Sequence, residues 1–412
     1  MTTLPNGLRV YTDPMPSLET AAIGVWAGVG SVDEHESEHG IAHLLEHMAF
    51  KGTTTRSARM LAEEIEAVGG YMNAATSHQR TGYYVRLLKD DVALGVDILS
   101  DILLNPLFDE HELQKEKEVI VQEIGEAADT PDDVVFEMLQ SISWGAHPLA
   151  RPILGTPSSV RSQTPDNLRR FMRRGYRAGD LVVAAAGKID PDAFVMQVEK
   201  AFEGVETGAK DAASSAPIFQ GGSQQDSRDI EQTHIAIAFP GVSSADDDFY
   251  ASRVFADALG GGMSSRLFQR IREEAGLAYS VYAFSDSYDH CGLVGAYAGA
   301  DAQEAPAIVA AIAEEMAKMT IETTDEELAR TKAMLRASLM MGLENPAARI
   351  EGAAGQIFRY GAVTAPKEIS ARIDAVGPDD IRRCAERALG GPCAIAMVGP
   401  GNLEKTANSL SV

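Results

Sequence analysis

The sequence is poor in cysteine and in long apolar runs. Its 412 residues contain only Cys291, Cys384 and Cys393, which are too few and too widely spaced for a disulfide framework or a zinc ribbon. We therefore expect a reducing compartment. No apolar run approaches the roughly 18–20 residues of a membrane span, and the first residues show neither a basic n-region nor an apolar h-region. The sequence thus predicts no membrane insertion.

Positive charge is also scarce. Lysine and arginine number 36 against 60 aspartates and glutamates, which gives a formal net charge of −24. This balance argues against nucleic acid as a partner, because phosphates demand a basic footprint. The acidic surface either keeps the protein in solution or attracts basic substrates, and composition leaves both possibilities open. We prefer a bacterial cytoplasm as the location, with an organelle matrix after removal of a targeting segment as the alternative.

A segment rich in Gly, Ala, Ser and Gln divides the chain nearly in half. It covers residues 205–228, lacks a hydrophobic period and is typical of a linker. Residues 19–50 before it and 233–261 after it both give a strand, a polar loop and a helix, followed by further helices and hairpins. The pattern predicts an α+β fold of two homologous domains, each a mostly antiparallel sheet covered by helices, over residues 1–204 and 229–412.

The pentapeptide His43-Leu44-Leu45-Glu46-His47 lies in an apolar, helix-forming run. Two histidines four residues apart lie on one helix face, so both imidazoles can reach a single tetrahedral zinc ion. Glu46 can face the same ion without ligating it, and the order H-x-x-E-H is that of the inverzincins. The alternative is a helix with two surface histidines and a glutamate in an ion pair.

A hydrolytic zinc site needs a third protein ligand and one open position. Glu116 and Glu123 are seven residues apart on a predicted helix and share one face, together with the apolar Val119 and Ile120. Carboxylates beside an inward apolar stripe are costly unless they meet a cation or hydrogen-bond donors. An exposed acidic face is the alternative, and it accounts better for the other glutamates of this helix.

The run GIAHLLEHMAFKGT, with Glu123 placed 76 positions after His47, resembles the pitrilysin-type (M16) metallopeptidases. Within that family it is most similar to the catalytic (beta) subunits of mitochondrial processing peptidases and their bacterial homologues. The similarity covers nearly the whole chain, through LPNGLRV, GGYMNAATS and GGGMSSRLFQRIREEAGLAYSV. It implies the LuxS/MPP-like metallohydrolase fold, one Zn²⁺ per chain held by His43, His47 and Glu123, a general base in Glu46, and a catalytic, orienting role for Glu116.

The resemblance also implies a set of substrate-binding residues, namely Phe50 as an apolar wall, Asn73 and Ala74 on an edge strand that pairs with an extended substrate, Asp133 and Glu137 for a substrate arginine, and Arg272 and Tyr279 for the substrate backbone. The plainer alternatives are a core phenylalanine, an ordinary half-buried strand, a solvated acidic helix, and a surface arginine beside a core tyrosine. Gln79 departs from the family, which carries a glutamate at this position.

The second half contains no H-x-x-E-H, so it cannot bind zinc in the same way, and a helix is predicted over residues 266–276. We expect a zinc-dependent endopeptidase that hydrolyses extended peptides or presequence-like segments in a closed chamber, with a bias for basic substrates. The resemblance implies a homodimer or a heterodimer with a related chain. The alternatives are a non-catalytic core-type assembly subunit of the same fold and a peptide-binding protein with a structural zinc.

Overall fold

The chain forms two compact units, each made of segments from both halves of the sequence. The computed structural model describes residues 1–210 and 216–410, so residues 211–215 of the predicted linker lie outside the described residues. Unit 1 and unit 2 are defined by the following segments: Met1–Gly125, Arg151–Ser214 and Met341–Val363 for unit 1, and Glu126–Ala150, Ser215–Met340 and Thr364–Val412 for unit 2.

Each unit contains one sheet, and the two sheets share a topology. The strands of unit 1 are β1 (Thr2–Thr3), β2 (Arg9–Pro14), β3 (Thr20–Ala27), β4 (Tyr71–Thr76), β5 (Thr81–Leu88) and β6 (Leu181–Gly187). Those of unit 2 are β7 (Gly222–Asp226), β8 (Thr233–Pro240), β9 (Ala278–Ser287), β10 (Gly292–Ala300) and β11 (Ala394–Val398).

The strand order is β1-β2-β6-β3-β5-β4 in unit 1 and β7-β11-β8-β10-β9 in unit 2. In each sheet one pair runs parallel, β2 with β6 and β7 with β11, and the other neighbours run antiparallel. Apart from β1, the strands of the two sheets therefore correspond one to one. The prediction of two homologous, mostly antiparallel domains covered by helices is confirmed.

Fifteen α-helices lie in the described residues. The first eight are α1 (Ile41–Ala49), α2 (Ala58–Ala67), α3 (Val92–Leu104), α4 (Glu110–Asp129), α5 (Pro131–Trp144), α6 (Pro157–Ser162), α7 (Pro165–Gly175) and α8 (Pro191–Ala201). The others are α9 (Phe249–Gly260), α10 (Ala305–Met319), α11 (Asp325–Gly342), α12 (Pro346–Tyr360), α13 (Pro366–Ala375), α14 (Pro378–Leu389) and α15 (Leu403–Asn408). None of them is both long and apolar enough to cross a bilayer.

Strand β3 is buried on both faces because each face is covered by a different layer. Ile23 and Val25 point into the main core of unit 1, whereas Trp26 belongs to a second cluster with Ile350 and Ile357 of α12. Alternate residues of a strand point to opposite faces, which explains why seven of its eight residues are buried. A helix encoded late in the sequence thus completes the first sheet.

Unit 2 shows the reciprocal arrangement. Helix α5, encoded in the first half of the sequence, packs against β7, β8 and β11. Its Phe136 ring lies 5.3 Å from Phe284 and 5.7 Å from Tyr297, measured between ring centroids. The compact units therefore differ from the contiguous ranges 1–204 and 229–412, because a sheet with two apolar faces needs cover on both sides. The catalytic and inactive roles of those ranges stay a prediction.

The predicted helix over residues 266–276 is present in a wider form. Residues Phe268–Glu274 adopt π-helical geometry, in which each turn takes an additional residue. The Leu277 N–H then bonds the Ile271 carbonyl at 2.9 Å, and β9 begins at Ala278.

Candidate metal centre

Helix α1 separates its apolar and polar side chains. Its buried residues are Ile41, Ala42, Leu44, Leu45, Met48 and Ala49. His43, Glu46 and His47 lie on the less buried face. The two histidines are one helical turn apart, and their ring centroids are 4.6 Å from each other. The motif therefore forms the helical face that its spacing predicts.

A buried carboxyl group caps the start of α1. The N–H groups of Gly40 and Ala42 donate to the two Glu34 carboxylate oxygens at 3.0 and 2.9 Å. Burial raises the pKa of Glu34 to about 8, although these two donors favour the charged form. Gly40 is required there, because its φ is +86° and a Cβ would lie 2.8 Å from the Leu154 carbonyl oxygen. Such a cap fixes the position at which α1 begins.

Helix α4 brings a third donor to this face. The Glu123 Oε2 atom lies 3.9 Å from His43 Nε2 and 3.7 Å from His47 Nε2. All three donor atoms lie within 4.8 Å of one another. The prediction that Val119 lies on the inward face of α4 is wrong, because Val119 is 39% exposed. The helix buries Glu116 beside Ile120 instead.

Two imidazoles and one carboxylate are a donor set that suits zinc and leaves one coordination position open. Burial, with a smaller effect of His47, lowers the pKa of His43 to about 4, so its ring is neutral and can donate a lone pair. His47 uses Nδ1 to contact Glu116, which leaves Nε2 facing Glu123. The residues present therefore fit a zinc ion.

Glu116 lies behind His47 and also contacts a lysine that the sequence did not indicate. Its carboxylate is 3.1 Å from His47 Nδ1 and 2.7 Å from Lys51 Nζ. Burial tends to raise the pKa of Glu116, but the hydrogen bonds from these two partners lower it. For His47, burial tends to lower the pKa, but Glu116, Glu123 and Glu46 together raise it.

Glu46 is held by a residue that the sequence also did not indicate. The Thr76 hydroxyl donates to Glu46 Oε2 at 2.5 Å. Burial raises the pKa of Glu46, and this hydrogen bond acts in the opposite direction. Thr76 ends β4, 30 residues away in the chain, so no spacing rule relates it to α1.

Strand β4 forms one edge of the sheet in unit 1. Asn73 is exposed and Ala74 is 9% exposed. The Ala74 N–H donates to the Asn73 side-chain oxygen at 2.9 Å rather than to a neighbouring strand. Gln79 lies in the turn between β4 and β5. Half-buried Phe50 ends α1, with its ring centroid 6.3 Å from that of Tyr83.

The other predicted residues belong to unit 2. Burial raises the pKa of the Glu137 carboxyl, and the negative charge of Asp133 on the same helix, α5, raises it further. The Arg272 guanidinium lies 5.5 Å from the Tyr279 ring centroid. Tyr279 is 76% exposed, so it is not a core tyrosine.

A second group of potential metal ligands lies at the start of α4. Asp109, His111 and Glu112 place donor atoms close together, but the first two residues are exposed. The Asp109 carboxylate accepts the N–H groups of His111 and Glu112 at 2.9 and 3.0 Å. Helix capping accounts for this arrangement.

Comparison with known proteins identifies the family. The family model described as Insulinase (Peptidase family M16) matches residues 9–157, and the one described as Peptidase M16 inactive domain matches residues 162–335. An uncharacterized zinc protease of Streptomyces coelicolor is 38% identical over 410 residues, covering 97% of this chain and 89% of that protein. The uncharacterized zinc protease YmxG of Bacillus subtilis is 36% identical over 403 residues, which cover 97% of this chain and 98% of that protein.

Solved structures agree on the fold. A protease from Helicobacter pylori superposes with a TM-score of 0.88 at 20% identity, covering 97% of this chain and 98% of the other. A structure from Pseudomonas fluorescens, described as a peptidase M16 inactive domain, superposes with a TM-score of 0.88 at 19% identity. The match covers 97% of both chains. The relatives define the class as that of the M16-type zinc metallopeptidases. The chain belongs to peptidase family M16, whose cofactor is zinc.

Proposed function

We propose that this chain is an endopeptidase that hydrolyses extended peptides at a zinc ion held by His43, His47 and Glu123. The proposal depends on one observation, the convergence of these three donor atoms within 4.8 Å on the helix face that also carries Glu46. Two of the donors come from α1 and the third from α4, so the set depends on the folded unit.

Zinc, when bound, supplies Lewis-acid charge that polarises the scissile carbonyl and makes water a better nucleophile. Glu46 accepts the proton of the attacking water and passes it to the leaving amine. Thr76 orients the Glu46 carboxylate through its hydrogen bond of 2.5 Å. Glu116 orients the His47 ring through Nδ1, while Lys51 holds Glu116.

The free edge of β4 provides a template for an extended substrate. A peptide that adds to a sheet edge gains main-chain hydrogen bonds that make little demand on its sequence. The Ala74 N–H is the donor offered at this edge, and the Asn73 side chain now occupies it. We expect Asn73 to release this donor when a substrate strand pairs with β4.

Unit 2 would supply further substrate contacts in a closed chamber. Asp133 and Glu137 are a carboxylate pair suited to the guanidinium of a substrate arginine. Arg272 and exposed Tyr279 offer donors for substrate carbonyls. A second copy of the chain, or a related chain, would complete the chamber. The bacterial relatives support a bacterial protein, for which the cytoplasm is the location we propose.

The alternative, a non-catalytic assembly subunit, is not favoured. Its fold would need neither the convergent donor atoms nor the hydrogen bond that holds Glu46. The relatives reported above are also named zinc proteases.

The test combines zinc analysis with peptide cleavage for the wild type and Glu46→Gln. The amide keeps the shape of the side chain but cannot accept the proton, so turnover should fall by about 100–10,000-fold with zinc content unchanged. Glu118→Gln is the matched control, since this exposed glutamate pairs with Arg161 at 3.0 Å, outside the metal set. Equal turnover of zinc-loaded Glu46→Gln and Glu118→Gln would disprove the proposal.

A further inference from the structure

A pocket of about 470 Å³ opens in unit 1 between α12 and the strands β3, β4 and β5. It lies on the sheet face that α12 covers, and within the described part of the chain its lining includes none of the proposed zinc ligands. Its floor is Trp26, and its walls include Ala75, Gly82, Arg86 and Glu351. Of its lining residues, Thr76 also orients Glu46 in the mechanism above.

The floor depends on two glycines. A Cβ at Gly82 would lie 2.6 Å from the Trp26 Nε1 atom, and one at Gly24 would lie 2.3 Å from the indole ring. Both positions therefore exclude a larger side chain, and the indole lies flat over the sheet. Gly82 pairs with Ala75 of the edge strand, which carries only a methyl group. The row of paired residues from Ala75 through Gly82 to Trp26 therefore carries only a methyl group beside the indole.

The charge in this pocket differs in sign from that of the whole chain. The guanidiniums of Arg80 and Arg86 contribute two positive charges, against one negative charge from Glu351. The Arg86 guanidinium stacks on the Tyr71 ring at 4.8 Å from its centroid. Arg86 is exposed, so its charge is available to a carboxylate ligand.

We propose that this pocket is a subsite for a glutamate side chain of the peptide paired with β4, an inference that rests on the proposed function. Side chains of a paired strand alternate between the two faces, so every second residue of the substrate lies on the face of β4 that carries Tyr71 and Ala75 rather than on the face of α1. Two strand spacings, roughly 10 Å, separate that strand from β5. Arg86 is paired with Tyr71, so the substrate residue beside Tyr71 lies directly across from it. A glutamate at that position and the long Arg86 side chain together span this distance, whereas aspartate is one methylene shorter.

The experiment measures binding apart from cleavage. Zinc-loaded Glu46→Gln protein is titrated with fluorescein-labelled decapeptides that carry Glu, Asp or Gln at each position in turn, and fluorescence polarisation gives Kd. We expect glutamate to bind about 2–5-fold more tightly than glutamine at alternate positions in low salt, with aspartate between them. The preference should shrink as salt is added, because the contact is partly exposed.

Charge variants in the Glu46→Gln background test the pocket itself. Arg86→Gln should abolish the glutamate preference and Arg86→Lys should retain part of it, whereas Glu351→Gln should increase it. Lys89→Gln changes the net charge by the same amount as Arg86→Gln. Lys89 pairs with Glu19 at 2.5 Å and does not line the pocket, so this variant should leave the preference intact.

Equal effects of Arg86→Gln and Lys89→Gln, or a glutamate preference without alternation along the peptide, would overturn the subsite. The two proposals fail separately. If the wild type cleaves peptides without regard to glutamate, the subsite is wrong and the peptidase stands. If the Arg86-dependent preference appears in binding but the zinc-loaded wild type cleaves none of the peptides, the peptidase proposal is wrong and the subsite stands.

Discussion

Apart from β1, units 1 and 2 have the same strand order, but they differ in the helix that follows the equivalent strand. In unit 1, α1 follows β3 and contacts the edge strand β4; in unit 2, α9 follows β8 and contacts the edge strand β9. Helix α1 presents His43 and His47, whereas the exposed side of α9 presents Arg253 and Asp257. Among the described residues, both groups that could hold a metal lie in unit 1.

The comparison shows that two units of like topology can differ in the potential metal donors that they carry. Burial raises the pKa of Asp257, and Arg253 moderates that shift. Within the described residues, Asp257 is not part of a group of three converging metal donors. The apolar residues of α9 still fill the core of unit 2. Exposed positions on the helix determine the site, and buried positions determine the fold.

The largest expected effect concerns α12, which is encoded in the second half of the sequence but belongs to unit 1. Residues 1–204 expressed alone should not fold cooperatively, because the sheet of unit 1 would lose the Ile350 and Ile357 side chains that cover Trp26. These two isoleucines alone contribute roughly 3–6 kcal/mol of burial, against a total stability of about 5–15 kcal/mol. A peptide of residues 341–363 added in trans should restore a cooperative melt followed by circular dichroism. Cooperative unfolding of residues 1–204 without that peptide would show that the sheet of unit 1 does not need α12.

The second test removes a donor from unit 1 and a carboxylate from unit 2. Glu123→Ala should weaken zinc binding by at least about 100-fold, because loss of an outer partner of a ligand already costs 10–100-fold. His47→Ala should behave in the same way, and a chelator should abolish wild-type activity reversibly. Asp257→Ala is the control in unit 2 and should keep zinc. Wild-type zinc affinity in Glu123→Ala would show that another carboxylate is the ligand.

The third test asks whether unit 2 contributes to catalysis. Tyr279→Phe removes one hydroxyl and should lower kcat/KM by about 10–1,000-fold at unchanged zinc content, since contacts to a developing tetrahedral centre act in the transition state. Tyr282→Phe, three residues along β9 and 42% exposed, is the matched control. If both variants cleave as the wild type does, unit 2 provides no such contact.

The fourth test concerns the acidic pair of unit 2. The double variant Asp133→Ala and Glu137→Ala should lose an arginine preference of about 10–100-fold, the value expected for charge-assisted hydrogen bonds. The comparison uses Glu126→Ala with Asp129→Ala, which removes the same charge from the end of α4. An arginine preference that survives in the first double variant, measured with a peptide library, would reject this subsite.

The smallest effect concerns the hydrogen bond that joins β4 to α1. Thr76→Val keeps the shape but removes the donor, and should lower kcat by about 2–10-fold with zinc content and KM little changed. Thr76→Ser keeps the hydroxyl and should restore kcat. Equal kcat values for the valine and serine variants would show that Thr76 has only a structural role.

Several features of unit 1 could be predicted because they depend on local periodicity. The spacing of His43 and His47 fixes their common helix face, and the continuous apolar run of β3 is typical of a strand buried on both faces. The exposure of Val119 could not be predicted, because the side of α4 that is buried depends on its neighbours. The roles of Asn73 and Phe50 in substrate binding stay predictions.

The sequence by itself determined the general succession of strands and helices, the duplication, and the three residues whose donor atoms converge in the candidate metal centre. Only the tertiary structure decided that Thr76 holds Glu46, that Lys51 holds Glu116, and that α12 covers the sheet of unit 1. These pairs are separated by tens to hundreds of residues, so no periodicity relates them. Their contacts form because the sheet needs two covered faces and because buried carboxylates need hydrogen-bond donors.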